Sequence, residues 1–160
     1  MHLVSHGVCV MSLSPKANSF NPAEWYSLAS WLYDTSLSSS AQCIRRTIIS
    51  RAYYAALICA RDATNSSTSG QDGHVSVVRA LSSRSSFAGN KLNSLRLKRH
   101  IADYRHDEEI TPLDVTNSLI NARAVLTELG LTPQNLQPHN KPYSQDYLDC
   151  SKFLSNKKQA

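Results

Sequence analysis

Glycine and proline are scarce, 5 and 6 in 160 residues. That scarcity argues against a sandwich or barrel of many short strands, because each chain reversal would need a turn residue. Mostly helix is expected. No apolar run reaches the length needed to cross a bilayer, so no membrane association is expected. Charged residues are few as well, 18 % against 41 % apolar, which excludes a highly charged disordered chain. The four cysteines, Cys9, Cys43, Cys59 and Cys150, lie far apart, with no Cys-x-x-Cys pair and no histidines at ligand spacing. Neither a metal site nor a cofactor is therefore expected. Cys59 falls within a helical apolar pattern, where a free thiol behaves as a small hydrophobe, and a reduced cytoplasmic protein is the expectation. The opening MHLVSHGVCV lacks a basic lead and is broken by histidine, which makes it a poor signal peptide. Met11 is as plausible a start as Met1.

What remains is a 17.7 kDa chain sized for one domain with tails. Residues 1–20 read as an N-terminal tail, 21–130 as a helical bundle and 131–160 as a C-terminal extension. Asn21 can cap and Pro22 fits a first helical position, with Trp25, Leu28, Ala29 and Leu32 following at helical spacing to about Thr35. The serine-rich stretch 36–40 breaks this pattern. The segment 41–63, free of glycine and proline, predicts the longest helix, with Ile44, Ile48, Ala52, Ala55 and Cys59 forming a seam that a neighbouring helix can approach closely. Residues 65–73 (NSSTSGQDG) read as a polar connector and 74–81 as a short helix despite the valines. Residues 82–90 read as a second linker. Residues 91–105 predict an amphipathic basic helix with Leu92, Leu95, Ile101 and Ala102 on its apolar side. Thr111, Pro112 and Asp114 form a capping box that opens the last helix, carrying Val115, Leu119, Ala122, Val125, Leu126 and Leu129, and Gly130 supplies its left-handed stop. The fold class expected is an all-α, up-and-down bundle of four to five helices with flexible tails.

The net charge of +5 is uneven: residues 79–105 hold Arg79, Arg84, Lys91, Arg96, Lys98, Arg99 and Arg105 against Asp103 alone. Such a cluster attracts phosphates, and it also describes an ordinary solvated helix face. Arg99 and His106 are seven positions apart. On a continuous helix they are turned by about 700°, to within roughly 20° of one face, and stand about 10 Å apart along the axis. Two such helices crossing in a symmetric dimer could bring four of these groups together. Histidine can move a proton near neutral pH and arginine can stabilise charge on a pentacoordinate phosphate, so the set suits metal-free RNA cleavage. The plain alternatives are a surface histidine at a helix end, an exposed Arg99–Asp103 pair and an interface aromatic at Tyr104. Arg51 could pair with Asp103 across the bundle or reach the groove, with a structural role favoured.

Three segments, Ser50-Arg51-Ala52-Tyr53-Tyr54-Ala55-Ala56, His74-Val75-Ser76-Val77-Val78-Arg79-Ala80-Leu81 and Arg99-His100-Ile101-Ala102-Asp103-Tyr104, stand in the order of the landmark segments of the HEPN superfamily. Over residues 21–130 the chain resembles that family, specifically its branch with an Ala-Asp-Tyr string. The resemblance implies a helical bundle that usually forms a homodimer and works in toxin-antitoxin or phage-defence systems beside a minimal nucleotidyltransferase. It also implies metal-independent endoribonuclease activity, with a signature of Arg, a polar residue and a later His that Arg99, His100 and His106 satisfy. Arg99 and His106 would then be catalytic, and Arg96, Lys98, His100 and Arg105 would hold the RNA. Arg51, Asp103 and Tyr104 would serve structure or regulation. Two departures accompany this. The Ala-Asp-Tyr branch often keeps the bundle without a nuclease centre, so a catalytically inactive module binding nucleotide, nucleic acid or the partner nucleotidyltransferase is the alternative. The tyrosine that some family toxins have adenylylated, two residues after the histidine, is replaced by Glu108, and Tyr104 is the nearest tyrosine.

Overall fold

A computed structural model describes residues 20–35 and 41–131, and these form five helices: α1 (Glu24–Thr35), α2 (Gln42–Thr64), α3 (Gly73–Arg84), α4 (Ser86–Tyr104) and α5 (Pro112–Glu128). Among the described residues there is no strand, and the fold is an all-helical bundle. Most of the two tails, the break at 36–40 and the choice between Met1 and Met11 lie outside the described residues. α2 runs through the centre and packs against each of the other four helices, while α4 packs against α3 and α5. Ile48, Ile49, Ala52, Tyr53, Ala56, Leu57 and Ala60 form its buried stripe. The alanines let the neighbouring helices approach closely, as the spacing predicts.

Helix α1 starts later than Pro22, because its first bonds are three-residue turns from Glu24 N–H to Asn21 O (2.9 Å) and Trp25 N–H to Pro22 O (3.1 Å). Asn21 still closes the end, its Oδ1 accepting from Ala23 N–H at 3.0 Å. Asn65 ends α2 in the left-handed conformation (φ 51°), with Ser66 N–H reaching back to Arg61 O. Cys59 lies on the flank of α2, and burial first, then Asp62, pushes its thiol up to about 12 against the opposing pull of Arg61. It behaves as the small hydrophobe its position suggests.

The linker expected at 82–90 is absent, and this corrects the sequence reading. α3 continues to Arg84, one residue breaks the path, and α4 begins at Ser86. That residue, Ser85, serves both helices: its N–H closes α3 on Leu81 O (2.8 Å), and its hydroxyl accepts from Ala88 N–H (3.3 Å) to open α4. Ser82 and Ser83 look like linker residues by composition, yet their hydroxyls bond back to Val78 O (2.9 Å) and Arg79 O (3.1 Å) within α3. Gly89 is a packing residue: a Cβ there would lie 2.6 Å from Ser82 Cα. The valines of 74–81 are helical, with Val77 and Leu81 in the core.

Helix α5 opens on the expected capping box. Thr111 Oγ1 accepts from Asp114 N–H (3.2 Å), and Asp114 Oδ2 accepts from Thr111 N–H (2.9 Å). Gly130 takes the left-handed stop at φ 78°. The turn between α4 and α5 is tied to α2. The Gln42 amide exchanges two bonds with the Ile110 backbone, and Arg45 Nη1 donates to Ile110 O (2.9 Å).

Candidate functional site

Arg99 falls in the apolar stripe of α4, at the spacing of Leu92, Leu95 and Ala102, and so points inward rather than into solvent. A buried charge there must find partners. Its Nη2 donates to Tyr54 Oη at 2.8 Å. Its guanidinium carbon lies 5.9, 5.2 and 5.1 Å from the ring centres of Tyr53, Tyr54 and Tyr104. Asp103 Oδ2 stands 2.6 Å from Nε. The carboxylate nevertheless lies off the N–H direction, because Nε has no aligned hydrogen bond, so the contact is an ion pair more than a hydrogen bond. The Arg99–Asp103 pair, which the sequence offers as an exposed alternative to a catalytic Arg99, is thus largely buried, the arginine side chain being 15 % exposed. Burial weakens the guanidinium's hold on its proton, but Asp103, Tyr54 and Tyr104 outweigh it and raise its pKa.

His74, at the start of α3, belongs to the same cluster and was not singled out as a site residue from the sequence. Its Nδ1 and the buried Tyr53 hydroxyl share a hydrogen bond of 2.9 Å. When the phenol donates, the ring carries its proton on Nε2. The ring centres of Tyr53 and Tyr54 lie 5.8 and 6.2 Å away. Burial first, then Arg99 and Arg96, hold the imidazole below the usual histidine range. Burial likewise drives the Tyr53 phenol well upward. Both groups are therefore neutral near pH 7. Three segments distant in the chain, each quoted above as a motif, meet in this cluster.

Arg51 does not pair with Asp103. Its guanidinium carbon instead lies 5.2 Å from the Trp25 ring and 5.5 Å from the Tyr54 ring. The cation–π contacts of Arg51 and Arg99 thus both involve Tyr54. Arg96 stands one turn before Arg99, with Nε donating to Asn93 Oδ1 at 3.1 Å. His100 is exposed and tilted against Tyr104, ring centres 5.2 Å apart. Lys98 looks elsewhere, onto Asp114 of α5 at 2.7 Å. Arg105 is paired with Glu108 at 3.1 Å.

His106 does not share a helix face with Arg99, because α4 ends at Tyr104 and His106 is exposed in the turn beyond it. A longer helix would crowd Asp107, Glu108 and Glu109 at its negative end. Arg46 of α2 then takes the freed carbonyls. Nη1 donates to Ala102 O (2.7 Å) and Nη2 to Arg105 O (3.2 Å) and Glu108 O (2.5 Å). Arg46 carries no motif signal, since a charged residue on a long helix is legible as a clamp only once the turn it holds is in place.

The arrangement can hold a guanidinium and an imidazole rigidly against tyrosine rings and present Arg51, Arg96, His100 and Tyr104 at its rim. Among the described residues, no three His, Cys, Asp or Glu side chains converge as a metal ion would require. No helix among them is long and apolar enough to cross a membrane. No family model matches this chain, and comparison with curated proteins and with solved structures gives no match.

Proposed function

We propose that this bundle is a HEPN-like module that binds single-stranded RNA across α4 and the aromatic cluster beside it. The supporting observation is that two guanidiniums, those of Arg51 and Arg99, lie against the rings of Trp25, Tyr53, Tyr54 and Tyr104, with Arg96 one turn before Arg99 on α4, and among the described residues Asp103 is the one carboxylate in ion-pair contact with any of the three. Guanidiniums neutralise phosphates and release counterions, while aromatic faces stack bases without sequence preference. Arg96, His100 and Tyr104 form the contact surface, and Arg99 orders it. Lys98 and Arg105, held by acids, are left out of this surface. Binding of a labelled single-stranded RNA should weaken steeply with salt, and Arg96→Ala should reduce the log–log slope by about one. Salt-insensitive binding, or an unchanged slope in the variant, rejects the proposal.

A second reading, a metal-independent endoribonuclease, is favoured by the Arg46 clamp, which fixes the turn carrying an exposed His106 just past the Arg99 helix. Here the imidazole of a second copy completes a site with Arg99 in a homodimer. Wild-type RNA cleavage by purified His106→Ala would reject this centre. If neither protein cuts RNA and both bind it with steep salt dependence, the module reading stands alone. The wider setting rests on the family resemblance: a toxin-antitoxin or phage-defence complex in the cytoplasm, with a minimal nucleotidyltransferase as partner.

A further inference from the structure

At the corner where α2, α3 and α4 meet, His74 and Arg99 stand against the same two tyrosine rings from different helices. His74 lies 5.8 and 6.2 Å from the centres of Tyr53 and Tyr54, and the Arg99 guanidinium 5.9 and 5.2 Å from them. Arg96 is one turn away on α4, close enough to act on both His74 and Tyr53 through its charge. Asp103 offsets Arg99. Protonating His74 adds one positive charge to a corner already rich in guanidinium, which favours the dianion of a phosphate monoester, whose second ionisation lies near pH 6, over the single charge of a phosphodiester.

We propose that this corner is a site for a terminal phosphate monoester on an RNA strand, and that His74 takes up a proton from solvent as the phosphate binds. The proposal rests on the reading that this face binds RNA, and it adds a ligand class and a residue to that reading. Tyr53 fixes the imidazole through Nδ1, which leaves Nε2 to donate to a phosphate oxygen. The groups facing the ring are the Tyr53 and Tyr54 phenols of α2 and the Arg96 and Arg99 guanidiniums of α4, with Arg51 beyond the Tyr54 ring. In the free protein these guanidiniums oppose a proton on His74. A dianion placed among them reverses the local field and stabilises that proton, and by linkage the protonated ring strengthens the phosphate's hold. No covalent bond changes in this step.

The test uses the full chain and one single-stranded oligoribonucleotide carrying a 5′-phosphate, a 3′-phosphate or hydroxyls at both ends. Binding is measured by calorimetry at pH 7 in two buffers of different ionisation enthalpy. One or both phosphorylated forms should bind about tenfold tighter than the hydroxyl form, with net proton uptake. The preferred form identifies which end is read. His74→Gln should lose both the preference and the proton uptake. Arg96→Gln, which leaves the Tyr53–His74 bond intact, should lose the preference even if the first variant misfolds. Equal binding of all three oligonucleotides overturns the terminal-phosphate site and leaves RNA binding standing. If no oligonucleotide binds, the RNA reading fails, and NMR titration of the His74 ring with inorganic phosphate judges the site separately: a raised pKa retains it as a phosphate site, and an unmoved one overturns it.

Discussion

Arg99 is the residue on which the cluster turns, since a guanidinium in an apolar stripe is tolerated only because Tyr54, Asp103 and three rings surround it. The partner whose loss can be read most cleanly is Tyr53. Tyr53→Phe keeps the buried ring and removes the bond to His74, so it should cost about 1 kcal/mol in urea denaturation. A loss near zero would mean that the bond contributes nothing to stability. His74 also sets a pH dependence. Its folded value lies below its ordinary one of 6.5, so its stability contribution is full above pH 6.5 and is lost as pH falls through the folded value. Denaturation midpoints between pH 7.5 and 5.5 should therefore fall more for the wild type than for His74→Gln. Equal falls would show that the imidazole is not held neutral by its surroundings.

Among the elements, the α3–α4 pair depends most on a single position. Gly89 lets Ser82 approach to a distance at which any Cβ would collide with backbone, so Gly89→Ala must push the two helices apart. The expected loss is about 1 to 3 kcal/mol, read as a lower melting temperature, and an unchanged melting temperature would mean that the helices do not pack this closely. Since His74 sits on α3 and Arg96 and Arg99 on α4, the same change should weaken RNA binding. At the other end of α4, the Lys98–Asp114 contact ties that helix to the cap of α5. Burial raises the Asp114 carboxyl, but Lys98 and the backbone and hydroxyl of Thr111 outweigh it, and its pKa falls below the usual carboxylate range. The tie is thus kept at neutral pH and lost in acid.

For the whole molecule, the two functional readings separate by assembly. RNA binding across α4 needs one copy, whereas a composite Arg99 and His106 centre needs two, because one chain's helix no longer carries both groups. Sedimentation of the purified protein should give about twice the 17.7 kDa chain mass if the nuclease reading holds. A monomer at working concentration removes that reading and leaves RNA binding intact.

By itself the sequence determined the helical bundle and part of its punctuation, though not the close join of α3 to α4 at Ser85. Periodic apolar positions select helix, and the Thr111 box, Asn21 and Gly130 mark ends through interactions that reach only a few residues along the chain. Arg99 was legible as part of a basic run, but not as a charge at the spacing of Leu92, Leu95 and Ala102. Only the tertiary structure decided what that charge meets. Tyr54 lies 45 residues before Arg99 and His74 pairs with a tyrosine 21 residues away, separations that no local rule connects. The same holds for the end of α4. Spacing carries the helix on to His106, and the fold stops it at Tyr104, because Arg46, more than fifty residues earlier in the chain, supplies the carbonyls there with donors that the helix cannot provide for itself.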